Sequence, residues 1–380
     1  MPAPARLPLT GITVVAIEQA VAAPFASARL ADAGARVIKI ERAEGDFARG
    51  YDDVAKGQAS YFVWLNRGKE SVVADLTTEA GKDLLRALLA QADVMIQNLK
   101  PGALERLGLG REHLRTAYPR LVQCSISGYG DAGPLAERKA YDLLVQAESG
   151  LASITGGPES ASRVGISIVD IATGATAYAA ILEALIARAA SGAGADIRIS
   201  MFDVMADWLT VPLLHTEAGK TPARVGLAHP SIAPYGVFRT ADGAEILISI
   251  QSEREWKTFV ERVLADATLA EDPRFCSNVA RVANRAATDA VVGAAFAGRT
   301  AEDMIALLQQ ADVAFAAVND MAALSRHPHL RRITVETPAG PVSFPAPAPI
   351  VQGAPRVYGP VPAIGAHGPL PAAATGSPTP

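Results

Sequence analysis

The residue with the clearest chemical potential is Asp170, a carboxylate placed between two apolar segments. Residues 165–169 before it predict a short buried strand, and residues 171–185 after it predict a long apolar helix. An aspartate at that junction faces the positive end of the helix dipole, which keeps it ionised and is worth about 0.3–1 kcal/mol. Beside a ligand crevice at a strand end, such a carboxylate could act as a nucleophile. Aspartate is also a favoured helix N-cap, so the local pattern leaves both roles open.

Polar and basic side chains also gather where predicted strands end in the first half of the chain. They are Arg42, Asn98, Lys100, Arg106 and Lys139. In a protein of net charge −4, arginines and lysines near strand ends suit an anionic ligand that carries phosphates. Each of them could equally be an ordinary solvated surface charge, and the residues alone do not decide between these interpretations.

An alternation of strand and helix signals supplies the scaffold for these residues. Apolar runs predict strands at residues 12–17, 37–40, 71–74, 94–96, 121–126 and 195–200. Helical patterns predict helices at residues 24–34, 78–91 and 202–214. This rhythm indicates an α/β fold in which a mostly parallel sheet is covered by helices.

The pattern changes after about residue 219, which predicts a smaller α+β domain. Two strand candidates flank a turn at residues 241–244, and a late hairpin is predicted near residues 333–344. Helices are expected at residues 253–265, 284–297 and 300–311. The predicted organisation is a large domain (1–218), a small domain (219–330), a return to the large domain (331–368) and an extended or disordered tail (369–380).

Composition and motif searches narrow the function. The net charge of −4 argues against a nucleic-acid binder, and the two cysteines, Cys124 and Cys276, are too far apart in sequence to form a CxxC metal motif. The six histidines are scattered, so no metal site is predicted. The start of the chain lacks the apolar core of a signal peptide, and the helix after Asp170 is typical of a buried core helix rather than a membrane span. We therefore expect a cytoplasmic protein with no nucleic-acid or membrane partner.

Several segments, taken in order, resemble the class III (CaiB/BaiF-type) CoA-transferase family. The resemblance covers roughly residues 8–368, and its motifs are specific when taken together. It is carried by residues 11–15, 37–42, 45–46, 65–69, 92–102, 127–134 and the pair Tyr141-Asp142.

The resemblance implies site residues. It makes Asp170, about thirty residues past the Tyr-Asp pair, the catalytic aspartate. Residues 21–24 match a loop that lines the thioester, and Val21 stands where some oxalate-using members have glutamine, which argues against formyl or oxalyl transfer. The implied CoA-binding residues are Arg42 and Arg106 near the phosphates, Asn98 and Leu99 by the adenosine, and Ala22, Ala74, Lys139 and Tyr141.

The resemblance also implies an architecture and a reaction. The large domain is Rossmann-like and built from both chain ends, and two subunits interlock as a homodimer. The aspartate attacks an acyl-CoA, becomes an aspartyl-CoA thioester and passes CoA to a carboxylic acid, with no metal or permanently bound cofactor. Residues 229–236 and 251–256 resemble members that act on short dicarboxylic acids such as succinate, mesaconate, itaconate and citramalate. His229 or Arg254 could anchor a second carboxylate, and both could equally be structural.

Two other functions are weighed against transfer. An α-methylacyl-CoA racemase shares this fold but has a histidine immediately before the aspartate of the Tyr-Asp pair. This chain has Tyr141 there, and a tyrosine with a pKa near 10 is a poor base at neutral pH. A non-catalytic CoA-binding or scaffold protein would not need Asp170. Asp142 is a second candidate nucleophile.

Overall fold

The computed structural model describes residues 6–368 and divides into two compact units. The large unit holds the chain up to residue 151, residues 164–211 and the segment from residue 331. The small unit holds residues 152–163 and 212–330, so it takes two segments, 152–163 and 212–218, that the sequence analysis places in the large domain. The predicted tail at 369–380 lies outside the described residues.

Both units are built from short, regular elements. The strands are β1 (Thr13–Ile17), β2 (Arg36–Glu41), β3 (Lys69–Val73), β4 (Val94–Gln97), β5 (Val122–Ser127), β6 (Gly156–Gly157), β7 (Ser160–Ala161), β8 (Ala195–Ser200), β9 (Tyr235–Arg239), β10 (Glu245–Ser249), β11 (Ala314–Ala317), β12 (Arg332–Val335) and β13 (Val342–Pro345). The helices are α1 (Ala22–Asp32), α2 (Ser60–Leu65), α3 (Glu79–Leu89), α4 (Ala103–Arg106), α5 (Arg111–Ala117), α6 (Asp142–Glu148), α7 (Leu151–Ile154), α8 (Ile168–Ser191), α9 (Met201–Trp208), α10 (Thr210–Glu217), α11 (Glu253–Arg262), α12 (Asn278–Ala283), α13 (Arg285–Ala297), α14 (Ala301–Gln310) and α15 (Met321–Ser325). Phe47–Gly50 and Ala267–Ala270 are 3₁₀ helices.

A six-stranded parallel sheet forms the centre of the large unit and confirms the predicted α/β class. Its strand order is β3-β2-β1-β4-β5-β8. Alternate residues of β1 face opposite sides: Val14 and Ala16 join the core with α1 and α8, whereas Val15 and Ile17 join the core with α3. Burial on both faces explains why these strands read as continuous apolar runs. The order reverses between β1 and β4, the position where sheets of this kind bind ligands.

The predicted strand at residues 165–169 is wrong. Gly165 and Ile166 are exposed and irregular, and α8 already begins at Ile168. The reason is non-local. Asp142, far back in the sequence, accepts hydrogen bonds from the main-chain N–H groups of Val169 and Asp170, which satisfies donors that a helix start would otherwise leave unpaired.

Helix α8 is the longest element of the described chain. By length and composition alone it could cross a membrane, a test that buried core helices also pass. Val169, Ala172, Ala177 and Ile181 on its buried face join the core of the large unit.

The predicted single helix at residues 202–214 is also wrong, because the chain breaks at Leu209 into α9 and α10. Pro212 lacks an N–H group and is tolerated in the first turn of a helix, so a new helix starts shortly before it.

The small unit contains a three-stranded antiparallel sheet of order β11-β10-β9, as expected for an α+β domain. The strands β9 and β10 form the predicted hairpin, and Trp256, Phe259 and Phe296 fill the core beside it. The late hairpin, β12 with β13, belongs to the large unit and packs against α2.

Candidate active site

Asp170 lies in the first turn of α8, and a residue of α6 holds the main chain of this turn. Asp142, the first residue of α6, accepts from the Val169 N–H at 2.8 Å and from the Asp170 N–H at 3.3 Å through one carboxylate oxygen. Its other oxygen accepts from Gln146 Nε2 at 2.7 Å, and Gln146 Oε1 accepts from the Val164 N–H at 2.9 Å. Asp142 is therefore the group that caps α8, and the side chain of Asp170 is left free for chemistry.

Burial raises the pKa of Asp170 to about 7, and the negative charge of Asp142 contributes in the same direction. The expectation that the helix dipole keeps this carboxylate ionised is wrong. A dipole effect of about 0.3–1 kcal/mol is outweighed, because each pKa unit corresponds to about 1.4 kcal/mol. No side-chain or main-chain group within residues 6–368 donates a hydrogen bond to its carboxylate. The Asp170 carboxylate therefore gains little from hydrogen bonds, and a pKa perturbed by burial in this way is typical of functional sites.

Two tyrosines lie next to this carboxylate. The Tyr61 hydroxyl is 2.8 Å from Ser167 Oγ, and the Tyr51 and Tyr61 rings meet edge to face with centroids 5.9 Å apart. Burial raises the pKa of Tyr51 to about 12, with contributions from the carboxylates of Asp46 and Asp170. Tyr51 therefore keeps its hydroxyl proton at neutral pH and can donate a hydrogen bond to a reacting group.

The start of α1 reaches the same place. A Cβ on Gly174, one turn after Asp170, would lie 2.5 Å from the carbonyl oxygen of Ala22, so α1 and α8 touch at this point. Val21 is the N-cap of α1 and no side chain caps the helix. Residues 21–24 were expected to form a loop, and this is wrong: Ala22 to Pro24 are the first turn of α1, which leaves its first N–H groups available near Asp170.

A cavity of about 200 Å³ opens where β1, β2 and β3 end. Arg42, Ala74 and Leu99 all line it, so three of the predicted CoA-binding residues come together. They do so because the carboxyl ends of parallel strands meet at one edge of the sheet. A second cavity of about 210 Å³ shares Leu99 and extends past Lys100 to the end of β5.

The other predicted CoA-binding residues have different surroundings. Asn98 uses its side-chain amide on the main chain of Gln19, accepting from the N–H at 2.9 Å and donating to the carbonyl at 2.8 Å. Arg106 and Lys139 are exposed and do not line either cavity. Tyr141 is 58% exposed, and Ala22 is buried at the contact between α1 and α8.

Comparison with known proteins decides the family. The model of CoA-transferase family III matches residues 9–368. The chain belongs to CoA-transferase family III. An acetyl-CoA:oxalate CoA-transferase of Acetobacter aceti is 36% identical over 348 residues, covering 90% of this chain and 89% of the relative. A succinate–glutarate CoA-transferase of Agrobacterium fabrum is 34% identical over 376 residues, covering 95% and 94%.

Solved structures agree with this assignment. A CaiB/BaiF family protein from Brucella suis has a TM-score of 0.81 at 35% identity, with 96% of this chain and 98% of that chain covered. The protein Rv3272 from Mycobacterium tuberculosis has a TM-score of 0.84 at 31% identity, with 96% and 99% covered. This protein is therefore a CoA-transferase, and CoA thioesters are its substrates.

Sequence reasoning proposed Asp170 but did not consider Tyr51 and Tyr61, which carry no recognisable motif. Their aromatic type in a segment without a predicted element was the only available signal. It also treated Asp142 as a rival nucleophile. The structure shows that both of its oxygens are occupied by N–H donors, which suits a supporting carboxylate better than a nucleophile.

We expect Asp142→Asn to lower the pKa of Asp170 below about 7, because the neighbouring negative charge disappears while the amide oxygen can still accept from Val169. The rising limb of kcat/KM against pH should move to lower pH, measured between about pH 5 and 9. Asp83→Asn, on the exposed surface of α3, is the matched control and should leave the profile unchanged. A limb that stays in place or moves upward in Asp142→Asn would contradict the electrostatic role of Asp142.

Proposed function

We propose that the transferase moves CoA from an acyl-CoA donor to a carboxylic acid through a covalent aspartyl-CoA thioester on Asp170. The observation that carries the proposal is the state of this side chain: its pKa is raised to about 7 by burial, and its helix is capped by another residue. A carboxylate that gains little from solvent or hydrogen bonds loses little when it attacks a carbonyl carbon.

The steps conserve the thioester. A carboxylate oxygen of Asp170 attacks the donor thioester carbonyl, the C–S bond breaks, and CoA leaves as the thiolate while a mixed anhydride forms. The thiolate attacks the Asp170 carbonyl carbon and expels the donor acid as its carboxylate, which leaves the aspartyl-CoA thioester. The acceptor carboxylate then repeats both steps in reverse order. No net proton is taken up or released in the exchange.

Each tetrahedral intermediate carries an oxyanion that needs hydrogen-bond donors. The first-turn N–H groups of Ala22 and Ala23 have no side-chain cap, and Tyr51 keeps its hydroxyl proton. We assign the oxyanion to these N–H groups, because main-chain donors at a helix start are fixed before the reaction begins.

For the CoA moiety, we propose that the cavity at Arg42, Ala74 and Leu99 holds the nucleotide end. Arg42 offers an exposed guanidinium to the phosphates. Arg106 and Lys139, both exposed, are proposed as further phosphate contacts. Asn98 contributes by holding the main chain of Gln19, which lines this cavity.

We propose short dicarboxylic acids as the substrates. Relatives of this chain are named for glutarate, D-citramalate and mesaconate. His229 and Arg254 are the two candidate anchors for the second carboxylate. Burial and Arg285 lower the pKa of His229, which disfavours the charged form of its ring. Arg254 is exposed, and no partner of its guanidinium lies among the described residues. We therefore propose Arg254 as the anchor of the second carboxylate.

An acceptor panel tests this function. With succinyl-CoA as donor, we expect glutarate, mesaconate, itaconate and citramalate to be used at least about tenfold more efficiently than butyrate, since a charged anchor is left unpaired by a monocarboxylate. Arg254→Gln should raise KM for the dicarboxylates and leave KM for butyrate unchanged. Preferred use of oxalate or formyl-CoA would overturn the choice of substrate. Exchange of an α-proton into heavy water without transfer would instead support the racemase.

We also propose a cytoplasmic homodimer. Large apolar side chains remain exposed on α8, α9 and α10, among them Ile186 at 74%, Trp208 at 56% and Val211 at 65%. Apolar surface of this kind is a common protein–protein interface, and a second copy of the chain would cover it. A mass in solution of twice the 39.5 kDa chain mass is the result that supports this.

A further inference from the structure

Four buried charged residues lie together beside the turn between β1 and α1, and none of them has a role in the chemical steps above. We call Glu18, Lys39, Asp46 and Lys69 the lysine network. Each is at most 3% exposed. Lys69 Nζ donates to Glu18 Oε1 at 2.6 Å, and Lys39 Nζ donates to Asp46 Oδ2 at 2.8 Å. Lys39 also lies 3.5 Å from Glu18 Oε1, which links the two pairs.

Stability alone is a weak explanation for this arrangement. Burying four charges removes all of them from water, and well-packed apolar side chains of the same size often do as well or better. A buried network of this kind can instead specify one local backbone conformation. The hydrogen bonds that leave the network show what that conformation is.

Three of those hydrogen bonds hold the turn between β1 and α1 and the helix that follows it. Asp46 Oδ1 accepts from the Ala20 N–H at 3.2 Å, and it also accepts from the Ala48 N–H at 2.9 Å as the N-cap of the 3₁₀ helix Phe47–Gly50. Glu18 Oε2 accepts from Ser27 Oγ at 2.7 Å, and Lys69 Nζ donates to the Pro24 carbonyl at 3.2 Å, so both bonds fix the first half of α1. The network therefore holds the turn from one side and the helix that follows it from the other.

The turn itself is strained. Ala20 has φ +63°, a left-handed conformation that alanine rarely adopts. Such residues persist only where the surroundings enforce them, and they concentrate at functional sites. Ala20 and Val21 pack in one cluster with Ile171, the residue after Asp170, so a change in this turn moves the start of α1 relative to the nucleophile.

We propose that Asp46, anchored by Lys39, is a positioning residue that keeps Ala20 left-handed and thereby aims the first-turn N–H groups of α1 at the acyl group on Asp170. The inference rests on the proposed function of Asp170. Asp46 acts on the reaction through the Ala20 N–H; it also lines the cavity proposed for the nucleotide end of CoA, so KM for the acyl-CoA is measured beside kcat. Lys69 and Glu18 complete the arrangement by fixing α1.

The test is a double-mutant cycle between Asp46→Asn and Ala20→Gly. The two oxygens of Asp46 accept from the Ala20 N–H and from Lys39 Nζ, whereas asparagine has only one oxygen. In either orientation of the amide, its NH₂ group therefore faces one of these donors, and the turn loses its support. We expect kcat to fall between about tenfold and a hundredfold with KM for the acyl-CoA within about threefold, because the oxyanion donors act mainly in the transition state. Glycine adopts positive φ freely, so adding Ala20→Gly should restore kcat at least about threefold, while Ala20→Gly alone stays near the parent enzyme.

The matched control is Asp32→Asn. Asp32 is a carboxylate at the other end of α1, equally buried, paired with Arg67 and without contact to the turn. It should lower stability and leave kcat unchanged. If Asp46→Asn does not fold, Lys39→Met combined with Asp46→Asn removes the charge pair in balance and takes its place, with the same loss and the same rescue expected.

The proposal is overturned by a kcat of Asp46→Asn within about twofold of the parent, by a loss that Ala20→Gly does not restore, or by an equal loss in Asp32→Asn. Intact-mass spectra of the parent enzyme with succinyl-CoA distinguish a failure of the positioning role from a failure of the proposed function. If the covalent adduct forms but the cycle shows no coupling, only the positioning role fails. If no adduct forms on Asp170, the proposed function fails, and the positioning role fails with it.

Discussion

Asp170→Asn is expected to abolish CoA transfer, with kcat lower by at least about 10³-fold, and at the same time to stabilise the folded protein at pH 8. The first effect follows from the chemistry, because an amide cannot take up the acyl group and then the CoA thiol. The second follows from the pKa of about 7, compared with an ordinary value of 3.8. A functional carboxylate held in this environment costs stability whenever it is ionised.

The pH dependence of that cost has a definite sign. Below about pH 4 the Asp170 carboxyl is protonated in both the folded and the unfolded chain and contributes nothing. Between about pH 4 and 7 the unfolded chain releases this proton while the folded chain keeps it, so the free energy of unfolding falls as pH rises. Above pH 7 the full cost is present, roughly 4 kcal/mol as an upper limit from about 1.4 kcal/mol per pKa unit. Partial solvent access reduces it, and we expect a gain of about 1–3 kcal/mol for Asp170→Asn at pH 8.

Urea unfolding of both proteins at pH 4.5 and pH 8 measures the stabilisation, and intact-mass spectra with succinyl-CoA measure the adduct. The difference in stability should be present in full at pH 8 and fall to about a quarter of that value at pH 4.5. Asp83→Asn on the exposed surface of α3 is the control and should change neither activity nor stability by more than about 0.5 kcal/mol. A covalent CoA adduct on the Asp170→Asn enzyme, or equal stability of both proteins at pH 8, would contradict the assignment.

The parts of the fold that depend on local patterns were predictable. The central strands β1 and β4 read as nearly continuous apolar runs because both faces are covered. Arg42, Ala74 and Leu99 were expected at one site, and they line one cavity because parallel strands end at the same edge. The strand prediction for residues 165–169 failed because the start of α8 depends on Asp142, which lies 27 residues before Val169.

The electrostatics of the site could not be predicted, because they depend on tertiary burial. The residues around Asp170 in the sequence do not show how deeply its side chain is buried. The expected stabilisation by the helix dipole neglects the loss of solvation, which has the larger effect on the pKa of Asp170. Lys39 and Lys69 lie in β2 and β3, where a lysine usually signals a solvent-facing position. They are buried because Glu18 and Asp46 are brought to them by the end of β1 and by the loop after β2.

Gly174→Ala is expected to damage both stability and catalysis, although alanine is the better helix former. A Cβ at this position would lie 2.5 Å from the Ala22 carbonyl oxygen and 2.8 Å from Phe25 Cβ, closer than such atoms approach. The helices α1 and α8 must then separate, at a cost of about 1–3 kcal/mol in the free energy of unfolding. Because Asp170 is one turn away, the separation also moves it from the N–H groups of α1, and we expect kcat to fall at least about tenfold.

Gly293→Ala in α13 provides the comparison, because this glycine is also helical but no atom beyond its own stretch of helix backbone lies within 4 Å of the position where a Cβ would be. Alanine there should stabilise the protein by about 0.5–1 kcal/mol through helix propensity and leave kcat unchanged. Urea unfolding and steady-state kinetics on both variants measure the contrast. If Gly174→Ala behaved like Gly293→Ala, the close approach of α1 to α8 would not be what places the oxyanion donors. A loss of stability with full kcat would show that the catalytic geometry does not depend on this contact.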